Sequence, residues 1–316
     1  MNPMMERVEE SESAFLYSRN HPQIKRVRAL QTPAGRLESN EFLIEGVRPL
    51  AEAVKLGVRI EKLIVVPQLL TGVPAEKLVK QLRIKGVPCL GMLPEVYYSF
   101  TQADEPQGVA AIVRQRWDAL ENIRPGQGLC WVVAEAVQSP GNLGTIIRSC
   151  EAVGGAGLIL LGDSVDPYDP ATVRASMGAL FGIRFVRSTG AQFAEWKTRR
   201  QVTLVGTSPS AREDYQAVDY PRPTMILMGC EKRGVTAEVM ALCDRQVKIP
   251  MVGRADSLNV GVATSLMLYE LFNQRRRPNK ESRMGKEIGD SLRNSQATPN
   301  EETRCGGSRH DDATTR

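Results

Sequence analysis

The chain has 316 residues, of which 42% are hydrophobic and 24% are charged, and its net charge is +5. This composition is ordinary for a globular protein of about two domains, and such a length buries a core without disulfides or metals to hold it. The charged amino terminus differs from a secretory signal, and no apolar run approaches the roughly 18–20 residues that span a bilayer. We therefore expect a cytoplasmic protein with no membrane contact.

Cysteine and histidine usage narrows the chemistry. The six cysteines form no CxxC pair, which argues against a zinc site or a disulfide framework and fits a reducing cytoplasm. The only two histidines, His21 and His310, lie near the ends of the chain, so a histidine general base is hard to build. If the chain is an enzyme, we expect no metal site and a bound cofactor that supplies the difficult chemistry.

Residues 1–20 are predicted to be a disordered lead, and residues 21–113 a small α/β domain. Helices that end at the natural stops Gly57 and Gly86 alternate there with short apolar runs. The predicted strands are 41–46, 60–66, 87–92 and 107–113.

A basic stretch opens this first domain. Between Arg19 and Arg36 there are five basic residues and no acidic one. Such a stretch could bind RNA phosphates through counterion release, or it could be an ordinary solvated surface. The residues of this stretch predicted to bind RNA are Lys25, Arg26, Arg28 and Arg36.

A polar, glycine-containing segment (114–128) is predicted as a linker to a second α/β domain over 129–272. The continuous apolar run 129–137 is typical of a buried parallel strand, and a helix ending near Gly154 follows it. Further strands are predicted at 157–162, 203–207, 224–229 and 246–250.

The end of the chain changes character. The last helix, 257–272, is apolar on most faces, so we expect a partner subunit to cover part of it. Residues 273–316 are polar and nearly free of aliphatic side chains, and they are predicted to be a disordered tail.

Three strand ends of the second domain carry unusual polar and glycine-containing sequences, at 138–155, 227–235 and 249–265. Ligands of open α/β sheets bind outside the carboxyl ends of the strands, so these segments are candidates for one site. No GxGxxG fingerprint follows a predicted strand, which disfavours a Rossmann oxidoreductase.

Each segment also has an ordinary structural interpretation. Asn142 is placed to cap a helix, and Arg148 could form a surface salt bridge. Glu231 could lie in a surface turn with a local ion pair. Ser257 is a good helix cap, with Asn259 expected in the first helical turn.

Taken together, the three segments resemble the signature motifs of the SpoU/TrmH family of RNA 2′-O-ribose methyltransferases, in the SPOUT superfamily. The matching positions are Asn142, Gly144 and Arg148 in the first motif, Gly229, Glu231 and Gly234 in the second, and Ile249, Pro250, Met251, Ser257, Leu258, Asn259 and Val260 in the third. The segment 173–181 resembles the family's intermediate segment, and residues 20–113 resemble its substrate-binding domain of the L30e kind. Gly261 departs from the pattern, since many members have serine there.

The resemblance implies a mostly parallel α/β fold with a trefoil knot, a homodimer formed through the catalytic domain, and S-adenosylmethionine as cofactor. It implies that the adjoining subunit helps to complete the site. Matching positions suggest Gly229, Ile249, Met251 and Leu258 for cofactor binding. The implied catalytic residues are Arg148, Asn142, Glu231, Ser257 and Asn259.

The resemblance nominates Arg148 as the base, but an arginine guanidinium resists deprotonation. We therefore interpret Arg148 as a clamp that orients a phosphate and stabilises the developing alkoxide. Arg174 is a further candidate for RNA contact. The favoured substrate is 23S ribosomal RNA; the alternatives are transfer RNA and a non-catalytic RNA-binding protein of the same fold.

Overall fold

Two separate β-sheets organise the chain, and the computed structural model describes residues 15–230 and 233–277. The first sheet has the order β1-β4-β3-β5-β2, in which β5 runs antiparallel to both of its neighbours and the other pairs are parallel. Its strands are β1 (Phe15–Leu16), β2 (Glu41–Glu45), β3 (Ile60–Val65), β4 (Cys89–Met92) and β5 (Val109–Arg114). Its helices are α1 (Pro22–Ala29), α2 (Pro33–Ser39), α3 (Val47–Lys55), α4 (Val73–Ile84) and α5 (Pro94–Tyr97).

The predicted lead is wrong for its last residues. Phe15–Leu16 pair with Gly91–Met92 of β4, and Leu16 is buried in the apolar cluster on that side of the sheet. Burial of Leu16 offsets the entropy of ordering this segment. The rest of the predicted lead, residues 1–14, lies outside the described residues.

The second sheet has seven strands in the order β10-β12-β9-β11-β6-β7-β8, and every neighbouring pair is parallel. Its strands are β6 (Trp131–Glu135), β7 (Gly157–Leu161), β8 (Arg184–Ser188), β9 (Thr203–Thr207), β10 (Glu213–Asp214), β11 (Thr224–Met228) and β12 (Arg245–Lys248). Its helices are α6 (Pro140–Ala152), α7 (Pro170–Ser176), α8 (Gly190–Thr198), α9 (Ala237–Met240) and α10 (Val260–Arg276).

This strand order fixes where a ligand can bind. From strand β6, the chain crosses through α6 to β7 on one side, whereas β11 lies on the other side of β6. The loops that follow β6 and β11 therefore leave the sheet in different directions and open a crevice between them. A change of direction of this kind is the usual ligand site in open α/β sheets.

The predicted linker 114–128 is not a free connection. Trp117 packs edge-on against Tyr168 with ring centroids 5.3 Å apart, and Ile123 is buried against the seven-stranded sheet. The Tyr168 hydroxyl donates to the Arg116 carbonyl over 2.6 Å and accepts from the Arg116 N–H over 2.8 Å. The segment is polar overall, but its aromatic and aliphatic side chains Trp117 and Ile123 pack against the rest of the protein and hold it in place.

Arg36 joins the two parts of the chain. Its side chain is only 1% exposed, and its Nε donates to Asp166 Oδ2 over 2.8 Å and its Nη2 to Asp169 Oδ2 over 3.4 Å. Its Nη1 also donates to the Leu30 carbonyl. A guanidinium that is buried and paired in this way cannot contact RNA phosphate, so the prediction that Arg36 binds RNA is wrong.

The last helix is displaced towards the carboxyl terminus relative to the predicted 257–272. It begins at Val260 and continues to Arg276, so residues 273–276 are helical rather than part of a disordered tail. A Cβ atom at Gly261 would lie 3.0 Å from Thr145 Cγ2, and the glycine thus permits the close approach of α10 to α6. The remainder of the predicted tail, residues 278–316, lies outside the described residues.

Candidate functional site

Two cavities adjoin at the carboxyl ends of the central strands. The first, of about 400 Å³, we call the β11 cavity; it is lined by Thr207, Ser208, Pro209, Met228, Gly229, Cys230, Arg233, Gly234, Ile249, Met251, Ser257, Leu258, Val260 and Ala263. The second, of about 700 Å³, we call the β6 cavity; it is lined by Ala136, Gln138, Ser139, Asn142, Asp163, Cys230 and Arg233. Cys230 and Arg233 line both cavities, so ligands bound in the two would be neighbours.

The four residues predicted to hold a cofactor come together in the β11 cavity. Gly229 follows β11, Ile249 and Met251 follow β12, and Leu258 lies two residues before α10 begins. The lining thus includes apolar residues together with the hydroxyl-bearing residues Thr207, Ser208 and Ser257. Such a mixture suits a ligand with one flat apolar group and several polar ones.

The loop after β11 is tightly closed. The Cys230 N–H donates to the Gly234 carbonyl over 3.1 Å, and the Gly234 N–H donates to the Cys230 carbonyl over 3.0 Å. A Cβ atom at Gly229 would lie 2.2 Å from the Gly234 carbonyl carbon, so only glycine fits there. The predicted catalytic residue Glu231 lies between these glycines but outside the described residues.

A buried carboxylate that sequence reasoning missed anchors this loop. Glu135 ends β6 with only 7% of its surface exposed. Its two oxygens accept hydrogen bonds from the N–H and the hydroxyl of Thr236, each over 2.8 Å. Thr236 also caps α9. The signal available in the sequence is the acidic residue within the otherwise apolar run 129–137, because a carboxylate is seldom buried in a strand without a partner.

Asn142 does not cap its helix as predicted. Ser139 is the cap of α6, and its hydroxyl accepts the N–H of Asn142 over 3.4 Å. The reason is Pro140, which occupies the first helical position and so starts the helix earlier. The Asn142 side chain is used differently: its Oδ1 accepts from Asn259 Nδ2 over 2.8 Å.

Asn259, rather than Ser257, caps the last helix. The Asn259 Oδ1 accepts the N–H of Gly261 over 2.9 Å and that of Val262 over 3.3 Å. One amide therefore caps α10 through its oxygen and binds Asn142 through its nitrogen. Ser257 lies before the helix in the loop that lines the β11 cavity.

Arg148 lies apart from the other predicted catalytic residues. Six residues separate it from Asn142, which turns it about 240° around the helix. It lines a third cavity, of about 580 Å³, together with Thr145, Ser149 and Tyr269. It is exposed, and it takes part in none of the ion pairs found within 15–230 and 233–277, so the surface salt bridge considered from sequence is not observed there.

The other residues predicted to bind RNA lie on the surface of the first part of the chain or next to it. Lys25 and Arg26 are exposed on α1, and Arg26 forms a 2.7 Å ion pair with Glu41. Arg28 donates to Ser99 Oγ over 2.7 Å. Arg174, on α7, donates to Gln102 Oε1 over 3.2 Å. These residues are not gathered at the two cavities.

Metal-binding clusters and membrane-spanning helices are both absent from the described part of the chain. No group of three or more histidine, cysteine, aspartate or glutamate side chains within 15–230 and 233–277 could hold a metal ion. None of the helices described there has the length and apolar character needed to cross a bilayer.

Comparison with known proteins identifies both parts of the chain. Residues 130–269 match the SpoU rRNA methylase family, and residues 21–111 match the MRM3-like substrate-binding domain. A 23S rRNA (uridine(2479)-2′-O)-methyltransferase from Streptomyces viridochromogenes is 35% identical over 76% of this chain and 85% of its own length. A 23S rRNA (guanosine(2553)-2′-O)-methyltransferase from Bacillus subtilis is 28% identical over 80% of this chain and 97% of its own.

A solved structure supports the same assignment. An AdoMet-bound rRNA methyltransferase from Sinorhizobium meliloti superimposes with a TM-score of 0.76 and 34% identity, over 84% of this chain and 99% of that one. The predicted fold class, a mostly parallel α/β domain preceded by a substrate-binding domain, is confirmed; the trefoil knot stays a prediction. The chain belongs to the SpoU rRNA methylase family.

Proposed function

We propose that this protein transfers a methyl group from S-adenosylmethionine to a ribose 2′-hydroxyl of 23S ribosomal RNA. The observation that carries the proposal is the meeting of the three motif segments at two adjoining cavities, one lined by both apolar and hydroxyl-bearing residues and one lined mainly by polar residues. The two relatives named above are 23S rRNA 2′-O-methyltransferases, and they match this chain across both of its parts.

The β11 cavity fits the cofactor. Ile249, Met251 and Leu258 offer apolar contacts to an adenine ring, and the hydroxyls of Thr207 and Ser208 offer hydrogen bonds to the ribose or to the amino-acid end. When bound, S-adenosylmethionine supplies a methyl group already activated by its positively charged sulfur. The protein therefore needs no metal to activate the methyl group.

The residues of the chain must hold the 2′-oxygen in line with the methyl group. Positioning of this kind can provide much of the rate enhancement, because the translational and rotational entropy of the reactants is lost on binding, before the reaction itself. Asn142 and Asn259 fix the β6 and β11 cavities relative to each other. Arg233 lines both cavities and places a positive charge where they meet, within reach of an RNA phosphate.

Arg148 acts, in this proposal, in the site of a second copy of the chain. Within one chain it faces away from both cavities, next to a surface on which Val262 and Tyr269 are each 47% exposed. An apolar helix face of this kind is what a twofold partner would cover. The homodimer would place Arg148 beside the partner's bound nucleotide, where it clamps a phosphate and stabilises the developing alkoxide.

We propose residues 21–113 as the RNA-binding domain and 129–272 as the catalytic domain, joined by the packed segment 114–128. Lys25, Arg26 and Arg28 on or beside α1 are the proposed phosphate contacts, with Arg174 as a further one. An enzyme that modifies ribosomal RNA acts where ribosomes are assembled, so we propose a cytoplasmic location.

The test is methyl transfer from labelled S-adenosylmethionine to purified 23S rRNA, to assembled large subunits and, separately, to transfer RNA. Label in 23S rRNA or subunits, lost in Arg148→Ala, is the expected result. Label in transfer RNA alone would replace the substrate and keep the chemistry. No label in any of the three would overturn the proposed function.

A further inference from the structure

The β6 cavity is large enough to hold part of the target nucleotide, and it lies next to the β11 cavity. Its volume of about 700 Å³ lies within the usual range for small-ligand sites. It opens beside the β11 cavity, and Cys230 and Arg233 belong to both. A ribose held at the junction would thus carry its base into the β6 cavity.

Gln138 presents a hydrogen-bond acceptor to this cavity. Its Nε2 donates to the Asp163 carbonyl over 2.8 Å and to the Ala136 carbonyl over 3.4 Å. Both carbonyl oxygens are acceptors, so the end of the amide that faces them must be the NH2 group and not the oxygen. The group that Gln138 retains for a ligand is therefore the acceptor Oε1.

Asp163 adds a second acceptor beside the first. It follows β7 by two residues, and it is an exposed residue that lines the cavity. Its carboxylate takes part in no hydrogen bond or ion pair found within residues 15–230 and 233–277. An ionised carboxylate only accepts hydrogen bonds, and it can accept two parallel ones.

Resting on the proposed 2′-O-methyltransferase activity, we infer that the β6 cavity holds the base of the target nucleotide and selects guanine through Asp163 and Gln138. Guanine alone among the four bases places two adjacent donors, N1–H and the 2-amino group, on its Watson–Crick edge. Proteins commonly read that edge in unstacked RNA bases. The two relatives named above act on a uridine and on a guanosine, so membership of the family leaves the base open.

The other bases fit this pair of acceptors poorly. Uracil offers one N–H between two carbonyl oxygens, which would face the carboxylate and the Gln138 Oε1. Adenine and cytosine each place a ring-nitrogen acceptor beside their amino group. A bound base would cover Asp163 and Gln138, which are both exposed in the free protein. An acceptor that is covered without receiving a donor costs binding free energy, so a site built of acceptors discriminates against these bases.

The experiment identifies the product and then tests the residue. RNA labelled by the wild-type protein is digested to nucleosides, and the methylated nucleoside is identified by mass spectrometry, with 2′-O-methylguanosine expected. Asp163→Asn and Asp163→Ala are expected to lower kcat/KM for RNA on the order of 10- to 100-fold. The Kd of S-adenosylmethionine should stay unchanged, because Asp163 does not line the β11 cavity. Asp219→Asn, which removes an exposed carboxylate elsewhere, is the matched control.

The outcomes separate this inference from the function on which it rests. Detection of 2′-O-methyluridine, -adenosine or -cytidine would overturn the guanine assignment and leave the methyltransferase intact. 2′-O-methylguanosine with unchanged kinetics in both Asp163 variants would overturn the role of Asp163. No 2′-O-methylated nucleoside from rRNA, subunits or transfer RNA would overturn the proposed function and this inference together.

Discussion

The Nδ2 atom of Asn259 donates a hydrogen bond to Oδ1 of Asn142 over 2.8 Å, across 117 residues of chain. The same Asn259 side chain caps α10 through its oxygen. One side chain thus ties the beginnings of α6 and α10 together, and these are the helix ends nearest the two cavities. The Asn259 amide therefore has two separate roles: it caps α10, and it links α10 to α6.

Two substitutions at position 259 separate these roles. Asn259→Ala removes both the cap and the link, and we expect a loss of about 1–2 kcal/mol in the free energy of unfolding, the usual cost of a lost cap. Asn259→Ser retains a capping oxygen but cannot bridge to Asn142, so it should be nearly as stable as the wild type. Its kcat should nevertheless fall on the order of 10-fold or more, because the reacting groups are less well positioned. Urea denaturation and methyl-transfer kinetics check the two expectations, and wild-type activity in Asn259→Ser would show that the link has no role.

Glu135 and Thr236 support a prediction about cofactor affinity. Thr236→Val removes the hydroxyl and leaves one oxygen of a buried carboxylate without its donor, at a cost of about 1–3 kcal/mol. The loop after β11 would lose an anchor, so we expect a higher Kd for S-adenosylmethionine in calorimetry. Thr236→Ser keeps both donors and is the matched control. Equal affinities in the valine and serine variants would contradict a positioning role for this pair.

Arg36 should matter for stability. Asp166 and Asp169 retain some solvent contact, so for Arg36→Ala we expect a loss of about 2–4 kcal/mol in unfolding free energy, somewhat less than for a fully buried pair. Arg199→Ala is the control, because Arg199 and Glu121 form a pair in which each is 56% exposed. That variant should lose at most about 1 kcal/mol. Equal stabilities of the two variants would contradict the buried role of Arg36.

The cysteines differ in their expected reactivity. Burial raises the pKa of Cys150 to about 12, so its thiol stays protonated at pH 8 and should resist alkylation in the folded protein. Cys230 lines both cavities, and saturating S-adenosylmethionine should slow its alkylation. Mass spectrometry of peptides after timed iodoacetamide treatment measures both rates. Labelling of Cys230 at the same rate with and without the cofactor would count against the proposed cofactor site.

The role of Arg148 in the partner's site can be tested by mixing. Arg148→Ala and Leu258→Trp, whose larger side chain would fill the β11 cavity, should each be inactive alone. After unfolding and refolding together, mixed dimers would contain one site with an intact cavity and an intact partner Arg148. Random pairing in a twofold dimer would then restore about a quarter of the wild-type sites. No recovery in mixtures shown to contain mixed dimers would place Arg148 in the site of its own chain.

Prediction from sequence was accurate where burial leaves a simple pattern. The apolar runs around β6, β7, β9 and β11 were placed to within a few residues, because strands buried on both faces are continuously apolar. Edge strand β8 was missed: Arg184 and Arg187 interrupt its pattern, and in the structure they bind Asp118 and stack on Trp117. Helices α1 and α2 were missed because they are short and begin at prolines after polar caps.

For the site, sequence identified the segments but not their contacts. The predictions that Asn142 and Ser257 cap their helices were wrong, because a cap depends on where the helix starts. Pro140 and Asn259 determine those starts. Arg36 carried the same charge signal as Lys25, and only the fold shows that Asp166 and Asp169 lie against it. Pairings across more than a hundred residues leave no periodic signal in the chain.

The buried Arg36 also bears on the distance between the first part of the chain and the crevice at the strand ends. Because its guanidinium holds α2 to the carboxylates that follow β7, we expect it to restrict the motion of α1, which carries the proposed RNA-binding residues, relative to the crevice at the strand ends. If RNA binds at α1 as proposed, the fixed distance between that surface and the crevice would help to determine which nucleotide reaches the proposed site.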